Sequence, residues 1–213
     1  MVGRRHIHLE VGEDGMLVVR APYRARLLDA EVAIHAHRKW VLKTLAAAQA
    51  RAERFTLEPG RILPYLNQRL RLVFTAAGKT GVRRAGCNLE VASPDADRPT
   101  RSLLQAWYQD EARRELPQRL RRIAVLLSVS PAGISVRNQR TRWGSCSAGG
   151  RISLNWRLLM LPARLADYVI VHELCHLRHL NHSAAFWNTV AAAIPDHRQR
   201  RGELRALEGA LPL

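Results

Sequence analysis

The segment from 172 to 182 decides the fold, and it reads His-Glu-Leu-Cys-His-Leu-Arg-His-Leu-Asn-His. Two histidines four positions apart lie on the same face of a helix, roughly 6 Å from each other. Their imidazoles can hold one zinc ion, and the glutamate after the first histidine then lies beside the metal. There it can take a proton from a zinc-bound water. The spacing predicts a hydrolytic zinc site with His172 and His176 as ligands and Glu173 as the catalytic residue.

The residues before this segment predict that the histidine pair lies on a buried helix. Pro162 suits the first helical turn, and a run without helix breakers continues from there to Val171. A helix that is apolar on most sides is a buried one. Because unsatisfied buried polar groups are costly, histidines and a glutamate on such a helix need partners. We therefore favour a metal site over histidines that only pack in a core.

The third ligand is open between a histidine and two glutamates. His179 shares the face of the first pair, but it lies one turn too far along the helix to reach the same metal. His182 can reach it if the helix ends near His179 and the chain turns back, with Asn181 tolerating a left-handed turn conformation. Glu203 and Glu208 are the alternatives. His182 is favoured because a short local turn is enough to bring it to the metal.

Motifs on both sides of the metal segment resemble those of one protein family. They are Thr141-Arg-Trp-Gly-Ser-Cys-Ser147, Ile152-Ser-Leu-Asn-Trp-Arg-Leu158, the HELCHL run, Asn181-His-Ser183 and Phe186-Trp187. In order and spacing, the chain resembles the YgjP-like metal-dependent hydrolases, a bacterial family grouped with zinc metallopeptidases and distantly similar to SprT-like proteases. The similarity is dense over residues 137–205 and looser before them. The resemblance implies His172, His176 and His182 as ligands and Glu173 as the catalytic residue.

Composition and length are those of a globular protein. The chain has 213 residues, of which 47% are hydrophobic, enough to bury a core as one large domain or two small ones. No apolar run approaches 18 residues and the N-terminus lacks a signal peptide's apolar segment, so we expect no membrane contact. The cysteines, Cys87, Cys146 and Cys175, show no paired spacing, which favours a cytoplasmic location. Cys146 and Cys175 are predicted to pack rather than to bind metal.

The N-terminal domain, predicted over residues 1–95, is a β-rich subdomain. Alternation over residues 5–21 predicts a hairpin that turns at Asp14-Gly15. An alanine-rich stretch predicts one long helix over residues 29–54. Short β-prone runs follow, and the segment from 93 to 99, rich in Asp and Pro, has the composition of a domain boundary.

The C-terminal domain, predicted over residues 96–213, has the element order of a zincin-like core in an α+β fold. An apolar stripe from Leu103 to Leu127 predicts a helix. Residues 133–140 and 150–156 are predicted as a strand pair around the Gly149-Gly150 turn, and the metal-site helix follows. Ser183 is then predicted to cap a helix over 184–193.

The strand pair offers candidates for substrate binding. In zincin-like sites an extended peptide often pairs with an exposed sheet edge above the metal. The loop 142–147 and the strand 153–155 are candidates for that edge. Arg142, Trp143 and Asn155 are candidate substrate-binding residues, and Arg142 or Asn155 can donate to a developing oxyanion. The alternative is that Trp143 is a core aromatic and Arg142 a structural donor.

The charge is strongly basic, with 34 Lys and Arg residues against 18 Asp and Glu, a net charge of +16. Such an excess favours anionic partners such as nucleic acid. Two arginine groups stand out: Arg137, Arg140, Arg142, Arg151 and Arg157, and then Arg198, Arg200, Arg201 and Arg205. Only three of the 34 are lysine, however, a bias that a GC-rich coding sequence would also produce. Composition therefore competes with nucleic-acid binding as the explanation.

Together these patterns predict a zinc-dependent metallohydrolase that holds one zinc ion per chain. A metallopeptidase acting on a peptide or protein substrate is favoured, with Glu173 as general base. Two alternatives stay open, a metal-dependent phosphohydrolase acting on nucleotides and a nucleic-acid-binding protein with a structural metal site. An open coordination position would favour catalysis, whereas a closed one would favour the structural role.

Overall fold

The computed structural model describes residues 6–12, 16–54, 56–76, 79–92, 100–139, 141–207, 211 and 213. The chain divides into two compact units, Met1–Thr56 and Leu57–Leu213. Helices and strands occur in both, so the fold is α+β. The segment 93–99, predicted as a domain boundary, lies outside the described residues.

The first unit contains a hairpin and two helices. Strands β1 (His8–Val11) and β2 (Leu17–Arg20) pair antiparallel, as predicted. The turn residues Asp14 and Gly15 lie outside the described residues. Helices α1 (Leu27–Ala36) and α2 (Arg38–Arg54) follow. The single helix predicted over 29–54 is wrong, because His37 leaves helical geometry at φ −105° and ψ 18°. No Gly or Pro marks this interruption in the sequence.

The second unit begins with a four-stranded sheet, which is ordered β3-β4-β6-β5. Its strands are β3 (Ile62–Tyr65), β4 (Gln68–Thr75), β5 (Gly81–Ala85) and β6 (Asn88–Ala92). The two central strands, β4 and β6, run parallel. Alternate side chains of these strands are buried, among them Leu70, Leu72, Leu89 and Val91. The sheet therefore presents one apolar face to the core.

Helix α3 (Thr100–Leu126) shares this core with the sheet. The predicted apolar stripe is confirmed, since Leu103, Leu116 and Leu120 are buried, and the helix runs on through Pro117. Arg119 Nη2 donates to the carboxylate of Asp167, on the helix that precedes His176, at 2.8 Å. The same core thus supports the helix that carries the HELCH sequence.

A three-stranded sheet, ordered β7-β9-β8, precedes that helix. Its strands are β7 (Gly133–Arg137), β8 (Gly144–Cys146) and β9 (Arg151–Asn155). The two predicted strands are present and pair with each other, but they run parallel. The prediction that the Gly149-Gly150 turn joins them is wrong, because that turn joins β8 to β9. The strand 153–155 cannot be a sheet edge, since β9 is central. In the described part of the sheet, β8 is an outer strand.

The remaining elements are helical. A 3-10 helix (Trp156–Met160) leads into α4 (Ala163–Cys175), α5 (Ala184–Ala193) and α6 (His197–Ala206). The predicted cap of α5 is confirmed, because Ser183 Oγ accepts from the backbone N–H of Phe186 at 3.4 Å. Within the described ranges, no helix has both the length and the apolar character to cross a membrane.

Candidate metal centre

Three histidines converge where α4 ends. His172 lies on the last turn of α4, His176 caps its end, and His182 comes from the turn before α5. One ring nitrogen of each lies within 4.8 Å of the others. The Nε2 atoms of His172 and His182 are 3.0 Å apart. Because ligands about 2.1 Å from a tetrahedral metal are about 3.4 Å apart, a small adjustment would admit an ion.

The orientation of His176 is fixed by a backbone atom three residues further along the chain. Its Nδ1 donates to the carbonyl oxygen of His179 at 3.0 Å. That bond leaves Nε2 as the nitrogen with a free lone pair, which is how metal-binding histidines are usually oriented. The His179 ring turns to α5, where its Nε2 lies 3.2 Å from Thr189 Oγ1. His179 is therefore outside the three-histidine group, as its place in the sequence predicts.

The glutamates considered as alternative ligands are not part of this group. Glu203 forms an ion pair with Arg164 and accepts from Gln199 Nε2 at 3.0 Å. The hydrogen bond from Arg164 lowers the pKa of the Glu203 carboxyl. Glu208 lies outside the described residues. Among the described side chains, the metal-capable cluster contains His182 and no glutamate.

Aromatic packing holds the three imidazoles together. Phe186 is fully buried, and its ring centroid lies 5.0, 4.6 and 4.8 Å from those of His172, His176 and His182. Burial, and then the neighbouring His176 and His182, lower the pKa of His172 to about 4. Its Nδ1 is buried without a hydrogen-bond partner in the described chain. Metals bind the neutral form of an imidazole, which the lowered pKa of His172 favours, so the three packed rings fit a divalent ion.

Glu173 lies beside the histidines and is only 6% exposed. Burial raises the pKa of its carboxyl to about 7, and the nearby Arg142 opposes the rise. Strand β8 lies directly against it, since a Cβ on Gly144 would be 2.7 Å from Glu173 Cγ. Only glycine allows this approach without a shift. A carboxylate with a pKa near neutrality can both accept and return a proton.

A cleft with a volume of about 490 Å³ opens beside His172, Glu173 and His182. Its other walls come from three helices and from the start of β8. They are formed by Trp143, Gly144, Tyr168, Val169, Trp187, Arg201, Leu204 and Arg205. The arrangement places a buried carboxylate and two of the three imidazoles at one side of a cavity large enough for a side chain and its flanking backbone.

Comparison with known proteins gives the family. A family model described as a YgjP-like metallopeptidase domain matches residues 5–207. The chain belongs to the YgjP-like family. This confirms the resemblance carried by the sequence motifs. The crystal structure of the metallopeptidase zymogen of Pyrococcus abyssi abylysin is 26% identical, with a TM-score of 0.37, over 41% of this chain and 88% of that one. No match was found among curated proteins.

The candidate substrate-binding residues of this YgjP-like chain occupy different environments. Trp143 lines the cleft. Arg142 is exposed, and its positive charge lowers the pKa of the Glu173 carboxyl. Asn155 is buried, and its amide donates to the carbonyl oxygens of Gln139 and Arg142 at 2.7 and 2.9 Å. The structure therefore does not bring Asn155 to the cleft, and its side chain instead positions the loop that carries Arg142.

Other groups noted in the sequence are not members of the metal-capable cluster. Cys175 is buried, and burial raises its pKa to about 11, as suits a packed thiol. Cys146 is half-buried against the core. Arg157 is buried and donates to Asn138 Oδ1 at 2.6 Å. Because Arg157 is internal and Arg140 lies outside the described residues, the first arginine group does not show a continuous basic face.

Some cleft residues of the YgjP-like chain were not anticipated as site residues. Tyr168 is 3% exposed and packs in the core, yet it also lines the cleft. Trp187 belongs to a family motif, which is the signal that could have indicated it. Arg201 and Arg205 were noted only as charges. Their spacing of one helical turn on α6 is the feature that places both on one wall.

Proposed function

We propose that the chain is a zinc-dependent metallopeptidase with a zincin-like core. His172, His176 and His182 would hold one zinc ion, since three imidazoles form a common catalytic zinc set that leaves a position open. When bound, zinc supplies the Lewis acidity that makes water a nucleophile at neutral pH. The observation that carries the proposal is the convergence of three histidines beside a buried carboxylate at a cleft.

Glu173 acts as the general base in this proposal. Its carboxylate takes a proton from the attacking water and then passes it to the departing amine. The burial that raises its pKa to about 7 suits both transfers. Contact with Gly144 keeps the carboxylate of Glu173 in one position. The oxygen that accepts the proton is therefore already oriented when a substrate binds.

The outer strand β8 is where an extended peptide would lie. Alternate residues along this segment form its backbone hydrogen bonds to the β9 side. The carbonyl oxygen of Trp143 accepts from the N–H of Asn155 at 2.8 Å, and the N–H of Ser147 donates to the carbonyl oxygen of Arg151 at 2.9 Å. In an antiparallel pair the residues between them direct their peptide groups the other way. Gly144 and Cys146 therefore offer their N–H and C=O groups beside Glu173, and Arg142 and Trp143 flank them.

The test is hydrolysis of a peptide library by the zinc-loaded protein, together with a measurement of zinc per chain. We expect one zinc ion per chain. Glu173→Gln should keep the metal and lose about 10²–10⁴-fold in turnover, because the amide cannot accept the proton. Glu203→Gln is the matched control and should keep both metal and turnover.

Three results would contradict parts of this proposal. Near-native turnover by Glu173→Gln would remove the general base. Loss of zinc in Glu203→Gln would support Glu203 as the ligand in place of His182. Hydrolysis of nucleotides but not of peptides would favour the phosphohydrolase alternative, and a closed coordination sphere without any hydrolysis would favour a structural metal.

A further inference from the structure

Two guanidinium groups lie on the wall of the cleft that α6 contributes. Arg201 and Arg205 are one helical turn apart, are exposed, and line the same cavity as Glu173. Neither forms an ion pair within the described part of the chain. Their neighbours differ, since Arg164 pairs with Glu203 and Arg200 pairs with Asp196. Within the described part of the chain, the two positive charges that line the cleft therefore have no carboxylate as an ion-pair partner.

The surroundings of Arg201 hold its charge at the cleft, and no residue that the structure describes accepts a hydrogen bond from its guanidinium. Its Cζ lies 5.1 Å from the ring centroid of Trp187. Trp187 in turn stacks on His182 at 5.6 Å and on His197 at 5.8 Å between ring centroids. A guanidinium held over an aromatic face still presents its N–H groups at the edge, where they can bind a planar anion.

The cleft is otherwise apolar and aromatic. Trp143, Tyr168 and Leu204 contribute to its surface, and Glu173 is the one acidic group among the lining residues. Tyr168 lines the cavity together with Arg201 and Arg205, so both charges face the same apolar surface. A ligand that matches this wall has an aliphatic or backbone portion and an anionic end.

We propose that Arg201 and Arg205 select peptides that carry a carboxylate next to the scissile bond. The inference rests on the proposed peptidase function, because only then is this cavity a substrate cleft. A guanidinium pairs with a carboxylate through two parallel hydrogen bonds, which gives geometric as well as electrostatic preference. The carboxylate is the side chain of Asp or Glu, or the terminal carboxylate of the substrate.

The test compares kcat/KM for pairs of quenched fluorescent peptides that differ by Glu or Gln at one position near the cleavage point. A second pair differs only in a free or amidated C-terminus. We expect a preference of about tenfold for the acidic member of one pair, the magnitude of a partly buried charge-assisted pair. The preference should shrink as salt is raised.

The variants assign the preference to the two arginines. In the double variant Arg201→Gln/Arg205→Gln, the ratio of kcat/KM for the acidic peptide to kcat/KM for its neutral counterpart should fall to near one. The variant Arg201→Lys/Arg205→Lys should keep part of it, because it keeps the charge but loses the planar pair of donors. Arg198→Gln is the matched control, since Arg198 is an exposed residue of α6 that does not line the cleft. It should leave the ratio unchanged.

A wild-type ratio near one, or a ratio that survives the double Gln variant, would overturn the inference. Binding of the same peptides to zinc-loaded Glu173→Gln separates it from the peptidase proposal. If that protein binds acidic peptides through Arg201 and Arg205 while the wild type cleaves no peptide, carboxylate selection stands and the peptidase function fails. If peptides are cleaved without an acidic preference, the peptidase function stands and carboxylate selection fails. Stronger competition by inorganic phosphate than by either acidic peptide would also overturn carboxylate selection.

Discussion

Gly144→Ala tests whether strand β8 holds the carboxylate of Glu173 in place. A Cβ at this position would lie 2.7 Å from Cγ, 2.9 Å from Oε1 and 3.0 Å from Cδ of Glu173. Carbon atoms in contact are normally about 3.5–4.0 Å apart, so the carboxylate or the strand must move by about 1 Å. Glu173 is 6% exposed and both neighbouring elements belong to the packed unit, so the movement meets resistance.

Both activity and stability should respond to Gly144→Ala. A displacement of this size can cost about 100-fold in kcat/KM, because the proton acceptor is no longer aligned. Overpacking a buried site costs about 1–3 kcal/mol of unfolding free energy. For a protein of this size that lowers the melting temperature by about 2–10 °C. Zinc content should stay the same, since the atoms nearest the new Cβ all belong to Glu173.

Gly149→Ala is the matched control for this substitution. Gly149 lies in the β8–β9 connection, and the nearest atom to a Cβ there is Ser147 Oγ at 4.0 Å. Peptide hydrolysis, zinc per chain and thermal melting are measured for both variants. The reasoning is refuted if Gly144→Ala melts and turns over like Gly149→Ala. The melting comparison does not depend on a known substrate, so it tests the packing by itself.

Three further predictions concern the metal group, the loop and the thiols. His182→Ala should weaken zinc binding by more than about 100-fold in chelator competition, whereas His179→Ala should change it less than about tenfold; equal effects would contradict the ligand assignment. Asn155→Ala should lower the unfolding free energy in urea by about 2–3 kcal/mol without loss of zinc, and a neutral effect would refute its loop contacts. Alkylation of the native protein at pH 8 should label exposed Cys87 before buried Cys175, whose pKa is raised to about 11; the opposite order in mass spectra would contradict that burial.

Short-range patterns were sufficient to predict that the three histidines of the segment 172–182 converge. The spacing of His172 and His176 on a helix depends only on helical geometry, and His182 follows within one local turn. The cap at Ser183 and the bounds of α5 were predictable for the same reason. These features need little knowledge of the rest of the chain, because the residues that interact are at most ten positions apart.

Long-range pairing explains most of what was missed. Strand β8 has three residues, too few for a recognisable alternation, so β7 was assigned as the partner that precedes the Gly149-Gly150 turn. The role of Asn155 depends on where the loop up to Arg142 lies after the sheet has formed. Arg205 reaches the cleft from α6, about 30 residues beyond the histidine pair. No local pattern encodes that distance in space.

The bond from His176 to the carbonyl oxygen of His179 has a consequence for how this centre tolerates change. The acceptor is an atom that every amino acid possesses, so no side-chain replacement at position 179 can delete it. What the interaction requires is a chain of this length and path, because one residue added or removed between 176 and 179 would move the carbonyl out of reach. Substitutions at position 179 should therefore leave the tautomer of His176 unchanged, whereas an insertion or a deletion should disturb it. A scan that replaces side chains would not detect the carbonyl oxygen of His179 as the group that sets the tautomer.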